Sequence, residues 1–335
     1  MKLLSKLTQL ARPVLVATSL VTCFAASAWA QAQDFPTKSV TIVVPYAAGT
    51  PVDLFARSIA DQLRERWKQA VIVDNRPGVA QIVASNYVAR QQTADGHTLM
   101  ISVMPNVIPP ALLQKQNFSG NTDFAAVAHV CELPMALAVS SKHNVNSLKE
   151  FVDLARANPG RLTYGSSGVG SPSHMMHEDL SSAAGIKVVH VPYKTTGNVM
   201  SDLLGGQIDF AILALGHVSQ QLETGNRLKA LGVTASHRVP EYPNIPTIEE
   251  QGVKGFSAYV NYFILARKGT PAPIVQKLNE AINAATATPA YASTLKPIGG
   301  AKVPSPKSAE EVAKALQAQE SVYQRLVTEK NITFD

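Results

Sequence analysis

Three short stretches of this chain combine small residues, hydroxyls and unhindered backbone amides in a way that suits capture of an anion. The first is Tyr46-Ala47-Ala48-Gly49-Thr50, with Asp53 close behind, and it has no bulky side chain to screen its N–H groups. The second places Pro77-Gly78 as a turn, followed by Val79 and Ala80. The third, over 164–174, is rich in glycine and serine. There Ser166, Ser167, Ser171 and Ser173 offer hydroxyl donors, and Ser171 stands where it would cap a helix beginning near Pro172. Unpaired amides and the positive end of a helix dipole favour a carboxylate or phosphate by roughly 0.3–1 kcal/mol. The competing reading of each stretch is structural, since small residues and Pro-Gly turns also serve simply to turn a strand into a helix.

Catalytic and metal chemistry have weaker support. The third stretch does not match G-x-S-x-G, because Val169 stands two residues after Ser167, and it has no P-loop lysine. His174, His177 and Glu178 follow the order H-x-x-H-E, which is not a zincin pattern, and no cysteine or third histidine is adjacent in sequence. His190, just before Pro192-Tyr193-Lys194, reads as a structural histidine. No nucleophile–base order emerges, so neither an enzyme nor a bound cofactor or metal is expected.

The elements that would hold these loops alternate between strand and helix. Apolar runs at 40–44, 71–73 and 98–103 are separated by helical patterns around 54–67 and 82–90. A second series follows, with strands near 136–139, 162–165, 188–191 and 208–213 and helices near 147–157, 174–184 and 197–204. The C-terminal part reads as a strand at 263–266, a helix at 272–285 and a polar helix at 308–329. This alternation predicts parallel sheets covered by helices. No Gly/Ser linker separates the two series, so crossing strands near 127–139 and 256–265 are expected to form a hinge. A ligand cleft would lie between the lobes, beyond the carboxyl ends of the strands.

At the amino end Lys2, Lys6 and Arg12 precede an apolar run that ends in small residues at Ala28 and Ala30. This predicts a signal peptide over 1–30, cleaved before Gln31, and export. Its removal leaves +3 of the chain's net charge of +6. With no Lys/Arg stripe interleaved with aromatics, nucleic-acid binding is excluded, and a mild positive bias suits an anionic solute. Of the 2 cysteines, Cys23 is in the leader and only Cys131 remains, so no intramolecular disulfide can form.

Taken in order, the motifs VTIVVPYAAG, VDNRPG, ADGHTLMIS, LTYGSSGVGSPSH, VHVPYK, LLGGQIDF, IPTIEEQGVKGF and ARKGTPAPIVQKLN resemble the substrate-binding proteins of tripartite tricarboxylate transporters, first described as Bordetella uptake gene receptors. The resemblance covers essentially the whole chain after the leader. It implies an α/β, two-lobed, type II-like periplasmic binding-protein fold, each lobe a mixed sheet flanked by helices, joined by a two-strand hinge. The implied division is 31–133 with 257–335 as lobe 1 and 134–256 as lobe 2. It also implies a periplasmic receptor, expected as a monomer, that takes a small organic carboxylate and delivers it to membrane permease subunits. Carried onto this sequence, the first-lobe contacts are Tyr46, Ala48, Gly49 and Thr50, with Asp53 near a water network and Gly78, Val79 and Ala80 opposite. The second lobe offers Ser167, Gly168, Ser171, His174, Tyr193 and Lys194.

This chain departs from the family pattern in the first loop, AAGTPVD, in the second, GVAQI, and at Leu213, where an aspartate is usual. The apolar side chains at Val52, Val79, Ile82 and Leu213 point to a carboxylate with an aromatic or otherwise apolar body rather than a citrate-like one. Two rival roles share these residues: presenting the ligand to a membrane sensor, and a periplasmic hydrolase built from the Ser, His and Lys side chains.

Overall fold

The computed structural model describes residues 35–78, 81–103, 123–225 and 227–331. The expected leader, Val79 and Ala80 lie outside them. Strand β1 (Val40–Val44) is mostly buried, as a run of β-branched residues in a covered sheet must be. It leads into helix α1 (Pro51–Trp67), which begins with a proline whose φ is preset and whose missing N–H costs nothing at that position. Asp53 in the first turn and Arg64 and Arg66 in the last complement the helix dipole, and Lys68 ends the helix at φ 53°. Strand β2 (Val71–Asn75), the short helix α2 (Ile82–Asn86) and strand β3 (Thr98–Val103) follow. A π turn over Tyr87–Gln91 continues α2. β1 pairs parallel with β2 on one side and β3 on the other.

Strand β4 (Phe124–Ser140) is 17 residues long and belongs to both halves of the molecule. The second half contains α3 (Leu148–Ala157), β5 (Thr163–Ser166), α4 (Pro172–Ala184), β6 (Val189–Pro192), α5 (Thr196–Leu204), β7 (Phe210–Ala214), α6 (Leu215–Thr224) and β8 (Leu228–Val233). Strand β9 (Tyr259–Arg267) then returns to the first half, followed by α7 (Ala272–Thr286), α8 (Pro289–Leu295) and α9 (Ala309–Glu329). The strand order is β2-β1-β3-β9-β4-β7-β5-β6, with β8 also paired to β4. The expected α/β fold of two lobes joined by two long strands is therefore present. The patterning did not reveal α6, β8 or α8.

β4 exchanges partners within one step. Pro134 makes its last pairing with β9, opposite Tyr259, and Met135 makes its first with β7, opposite Ala214. This register sets the direction of both lobes. The end of β3, Val103, lies opposite Tyr262 near the start of β9, and the end of β7, Ala214, lies opposite Met135. The carboxyl ends of the parallel strands in the two lobes thus approach the β4 crossover from opposite sides.

One apolar cluster runs through both lobes, from Ile42, Phe55 and Ile101 through Val130 and Leu137 to Phe151, Tyr164 and Phe210. A second lies under α5 and α6, and a third fills the far side of the first lobe. Helix α9 links the first and third: Val312 and Leu316 sit in the first-lobe cluster, while Tyr323 and Leu326 join the continuous core. Ser308 and Glu311 form a capping box at its start, with Ser308 Oγ accepting from Glu311 N at 3.2 Å and Glu311 accepting from Ser308 N at 2.8 Å.

Candidate functional site

The loop between β1 and α1 is held open by a buried carboxylate. Asp53, only 2 % exposed, accepts from Gly49 N and Arg57 Nε through Oδ2, both at 2.9 Å, and from Asn75 Nδ2 through Oδ1 at 2.9 Å. Burial raises its pKa, but the bonds from Arg57, Gly49 and Asn75 outweigh that and hold it below the usual carboxylate range. Asn75 Nδ2 also donates to Tyr46 O at 3.0 Å, so the end of β2 ties down both ends of the loop. Thr50 Oγ1 donates to Ala47 O at 2.8 Å. Burial pushes the Tyr46 phenol up to about 12, so it stays protonated as a hydrogen-bond donor.

Of the expected donors in this loop, Gly49 N–H is already committed to Asp53. Ala48 is exposed, and its N–H has no hydrogen bond to the described residues. Gly49 adopts φ +82°, a conformation that glycine takes without strain, and this turns the chain into α1. Val52, expected as an apolar wall, is 5 % exposed and packs in the core.

At the second junction Gly78 O accepts from Gln81 N at 3.4 Å, and a Cβ on Gly78 would stand 2.5 Å from Val83 Cγ2. Gln81 takes φ 62°, and its side-chain amide extends β3 like an added strand residue. Its Nε2 donates to Val103 O at 3.0 Å, and its Oε1 accepts from Ser102 Oγ at 3.0 Å and Val103 N at 3.3 Å. The Arg76 guanidinium lies 3.4 Å from the Tyr87 ring centroid and bonds Asp74 at 2.7 Å.

The third junction lies in the other lobe, between β5 and α4. Ser171 caps α4, accepting from His174 N at 3.3 Å. Ser167 N donates to Ser173 Oγ at 3.3 Å, and Gly168 has φ +115°. His174, 3 % exposed, accepts from Gly170 N at 3.0 Å through Nδ1, so it supports the loop from beneath. Under it is a stack of rings. His174 and His190 have centroids 3.9 Å apart, Tyr164 and His190 4.9 Å, and Tyr164 and His177 4.3 Å. His177 Nδ1 donates to Ser173 O at 2.5 Å and its Nε2 accepts from Ile212 N at 2.8 Å, which defines one neutral tautomer. Burial, with His190 beside it, lowers the His174 pKa to about 3; burial also lowers His177 to about 3 and His190 to about 4.

Tyr193 closes the far side of this loop, its N donating to Ser166 O at 2.9 Å and its hydroxyl to Asp202 at 2.7 Å. Lys194 is exposed and has no ion pair or hydrogen bond among the described residues. Leu213 is 2 % exposed and packs with Val199, Leu203 and Val218 under α5 and α6, leaving half-buried Ala214 at the end of β7. The sequence reading missed Asn75, Arg57 and Gln81, and it named Ser166 only as a hydroxyl donor and Glu178 only within the H-x-x-H-E run. Only Asn75 carried a local signal, as a buried-strand terminus ending in a polar amide before Pro77-Gly78.

Residues 55–332 match the profile of the tripartite tricarboxylate transporter family receptor. The chain belongs to that family. A UPF0065 protein of Bordetella bronchiseptica is 32% identical over 326 residues, covering 97% of this chain and 93% of that protein. The R. palustris protein Rpa4515, solved with adipate, is 30% identical with a TM-score of 0.74, covering 89% of this chain and 99% of that one. MatC from Rhodopseudomonas palustris, solved with bound malate, is 29% identical with a TM-score of 0.70, covering 88% of this chain and 100% of that one. As a member of this receptor family, the chain has the fold expected of a solute-binding protein, and its β1–α1 and β5–α4 loops follow the carboxyl ends of parallel strands in the two halves.

Proposed function

We propose that this receptor captures a small organic carboxylate between its lobes in the periplasm, without turnover, and delivers it to membrane permease subunits of the tripartite tricarboxylate type. The observation that carries this reading is that the ends of β3 and β7 reach the β4 crossover from opposite sides, with the Ala48 N–H of the β1–α1 loop and the Lys194 ammonium of the β6–α5 connection both unengaged among the described residues. A free amide on one lobe and a cation on the other are the complement of a carboxylate. In this reading, residues 31–133 with 257–335 close against 134–256 about β4 and β9, after cleavage before Gln31.

The preferred ligand has an apolar body, either aromatic or aliphatic. Leu213 and Val52 are in the core, so this preference rests on Val83 in the first turn of α2 and the loop residue Val169, which are exposed beside the second and third junctions. Adipate and malate, bound by related proteins, bracket the test. A thermal-shift screen of carboxylates checks the reading, because a ligand at 100 times its dissociation constant adds about 2.7 kcal/mol to the folded state. A panel of mono-, di- and tricarboxylates that leaves the melting temperature unchanged would overturn it.

A further inference from the structure

The second lobe has a separate cavity beside the ring stack, with His190 of the stack as one of its walls. It has a volume of about 310 Å³ and is lined by Glu178 and Ser181 of α4, Ile186, Lys187 and Val188 of the α4–β6 connection, His190 of β6, and Lys330 just after α9. None of the expected carboxylate contacts lines it.

Its chemistry is specific. Lys187 and Lys330 form no ion pair or side-chain hydrogen bond with any described residue, so two ammonium groups border the space with no carboxylate committed to them. The Ser181 Oγ is buried, in a residue 3 % exposed, and has no hydrogen-bond partner. A buried hydroxyl left in that state costs about 1–3 kcal/mol, which a ligand oxygen at this wall would recover. Glu178 accepts from Tyr164 OH at 2.5 Å through Oε1, which leaves Oε2 free to accept a second donor.

We propose that this cavity is a second ligand site, for a small oxyanion that carries a hydroxyl as well as acceptor oxygens, with hydrogen phosphate, or a phosphate monoester in its singly protonated form, as the simplest forms. The two lysines and Ser181 supply donors to the acceptor oxygens, and Glu178 takes the ligand's O–H. A fully deprotonated oxyanion has no donor for Glu178 and meets like charge instead. Occupancy also joins parts that the chain keeps far apart. Lys330 ends α9, whose first half is packed in lobe 1 through Val312 and Leu316, whereas Lys187 belongs to lobe 2. The wall residue His190 is 2.6 Å from Ser166 Oγ, so the cavity backs directly onto the third loop.

Isothermal calorimetry on the mature chain in chloride buffer at neutral pH tests the site, with inorganic phosphate, sulfate and a simple phosphate monoester as probes. Saturable phosphate binding is expected, with sulfate at least about tenfold weaker because it carries no O–H. Lys187→Ala and Lys330→Ala should each weaken phosphate about tenfold, whereas Lys149→Ala, which removes an exposed lysine paired with Asp153, should leave it unchanged. Repeated at about pH 5.5, where the monoester retains one P–O–H, a monoester that binds as well as phosphate identifies an organic source, and one that fails identifies the free anion. Glu178→Gln should narrow the gap between phosphate and sulfate. If that variant loses its fold through Tyr164, the sulfate comparison on the unaltered chain still decides the role of the carboxylate. The proposal is overturned if phosphate does not bind saturably, if both lysine variants bind as the parent does, or if sulfate binds as tightly as phosphate.

Discussion

Gly216, in the first turn of α6, lies against Gly299 in the segment that pairs with β4 at Glu132: a Cβ built on Gly216 would stand 3.1 Å from the Gly299 Cα and 3.2 Å from its nitrogen. Two backbones therefore touch at the waist of the molecule, where β4 exchanges partners, and neither glycine has room for a side chain. Gly216→Val should push this contact apart at a cost of about 1–3 kcal/mol, the usual range for overpacking. Small-angle scattering should then show less compaction on ligand addition than for the parent protein. A variant with unchanged stability and unchanged compaction would show that the contact is slack.

The Asp53–Asn75 bond makes the first loop sensitive to a residue outside it. Asn75→Ala removes the donor to both Asp53 Oδ1 and Tyr46 O. It should lower unfolding free energy by about 1–3 kcal/mol and reduce carboxylate affinity, as the loop loses its anchor. Urea unfolding and calorimetry would check the two effects separately. Full affinity in a destabilised variant would mean that the loop keeps its shape without Asn75.

Lys194 separates binding from stability in the opposite way. It is exposed and unpaired among the described residues, so Lys194→Ala should leave the unfolding midpoint within about 0.5 kcal/mol of the parent. Carboxylate affinity should fall by about 1.5–3 kcal/mol if its ammonium bonds the ligand. Calorimetry showing equal affinity would exclude it from the site.

Ligand ranking tests the apolar-body reading. Adipate and aromatic monocarboxylates should bind at least about tenfold more tightly than citrate, equivalent to roughly 1.4 kcal/mol. Competitive displacement would check this, and citrate as the tightest ligand would overturn it.

The histidine stack predicts an acid limb. Burial keeps His174, His177 and His190 neutral, with pKa values of about 3, 3 and 4, whereas the unfolded chain protonates its histidines near 6.5. The unfolded state thus binds more protons below pH 6.5. The stability contributed by the stack is complete above that pH and is lost as pH falls from there toward about 3. Each histidine costs up to about 1.4 kcal/mol per pH unit within that window. Urea midpoints measured from pH 7 to 5 should fall steadily, and a flat profile would show that these rings titrate in the native state.

The sequence alone determined the local elements and the chemistry they present. Apolar periodicity marked the strands and helices around all three loops, Ser171 was readable as a cap, and the ordered motifs from Val40 to the Ala266-Arg267 region carried the family. Those features lie within a few residues of one another, where spacing and residue type are enough. Tertiary structure decided which groups remain free to bind. Gly49 N–H, open by sequence, is taken up by Asp53, and Leu213, expected as an apolar pocket wall, turns into the core beneath α5 and α6. Gln81 completes the carboxyl end of β3, and Gly216 meets Gly299 across the waist. These pairings join residues distant along the chain. They follow from how β4 shifts from β9 to β7 at Pro134 and Met135, a register set by the packing of both sheets at once and carried by no single stretch of sequence.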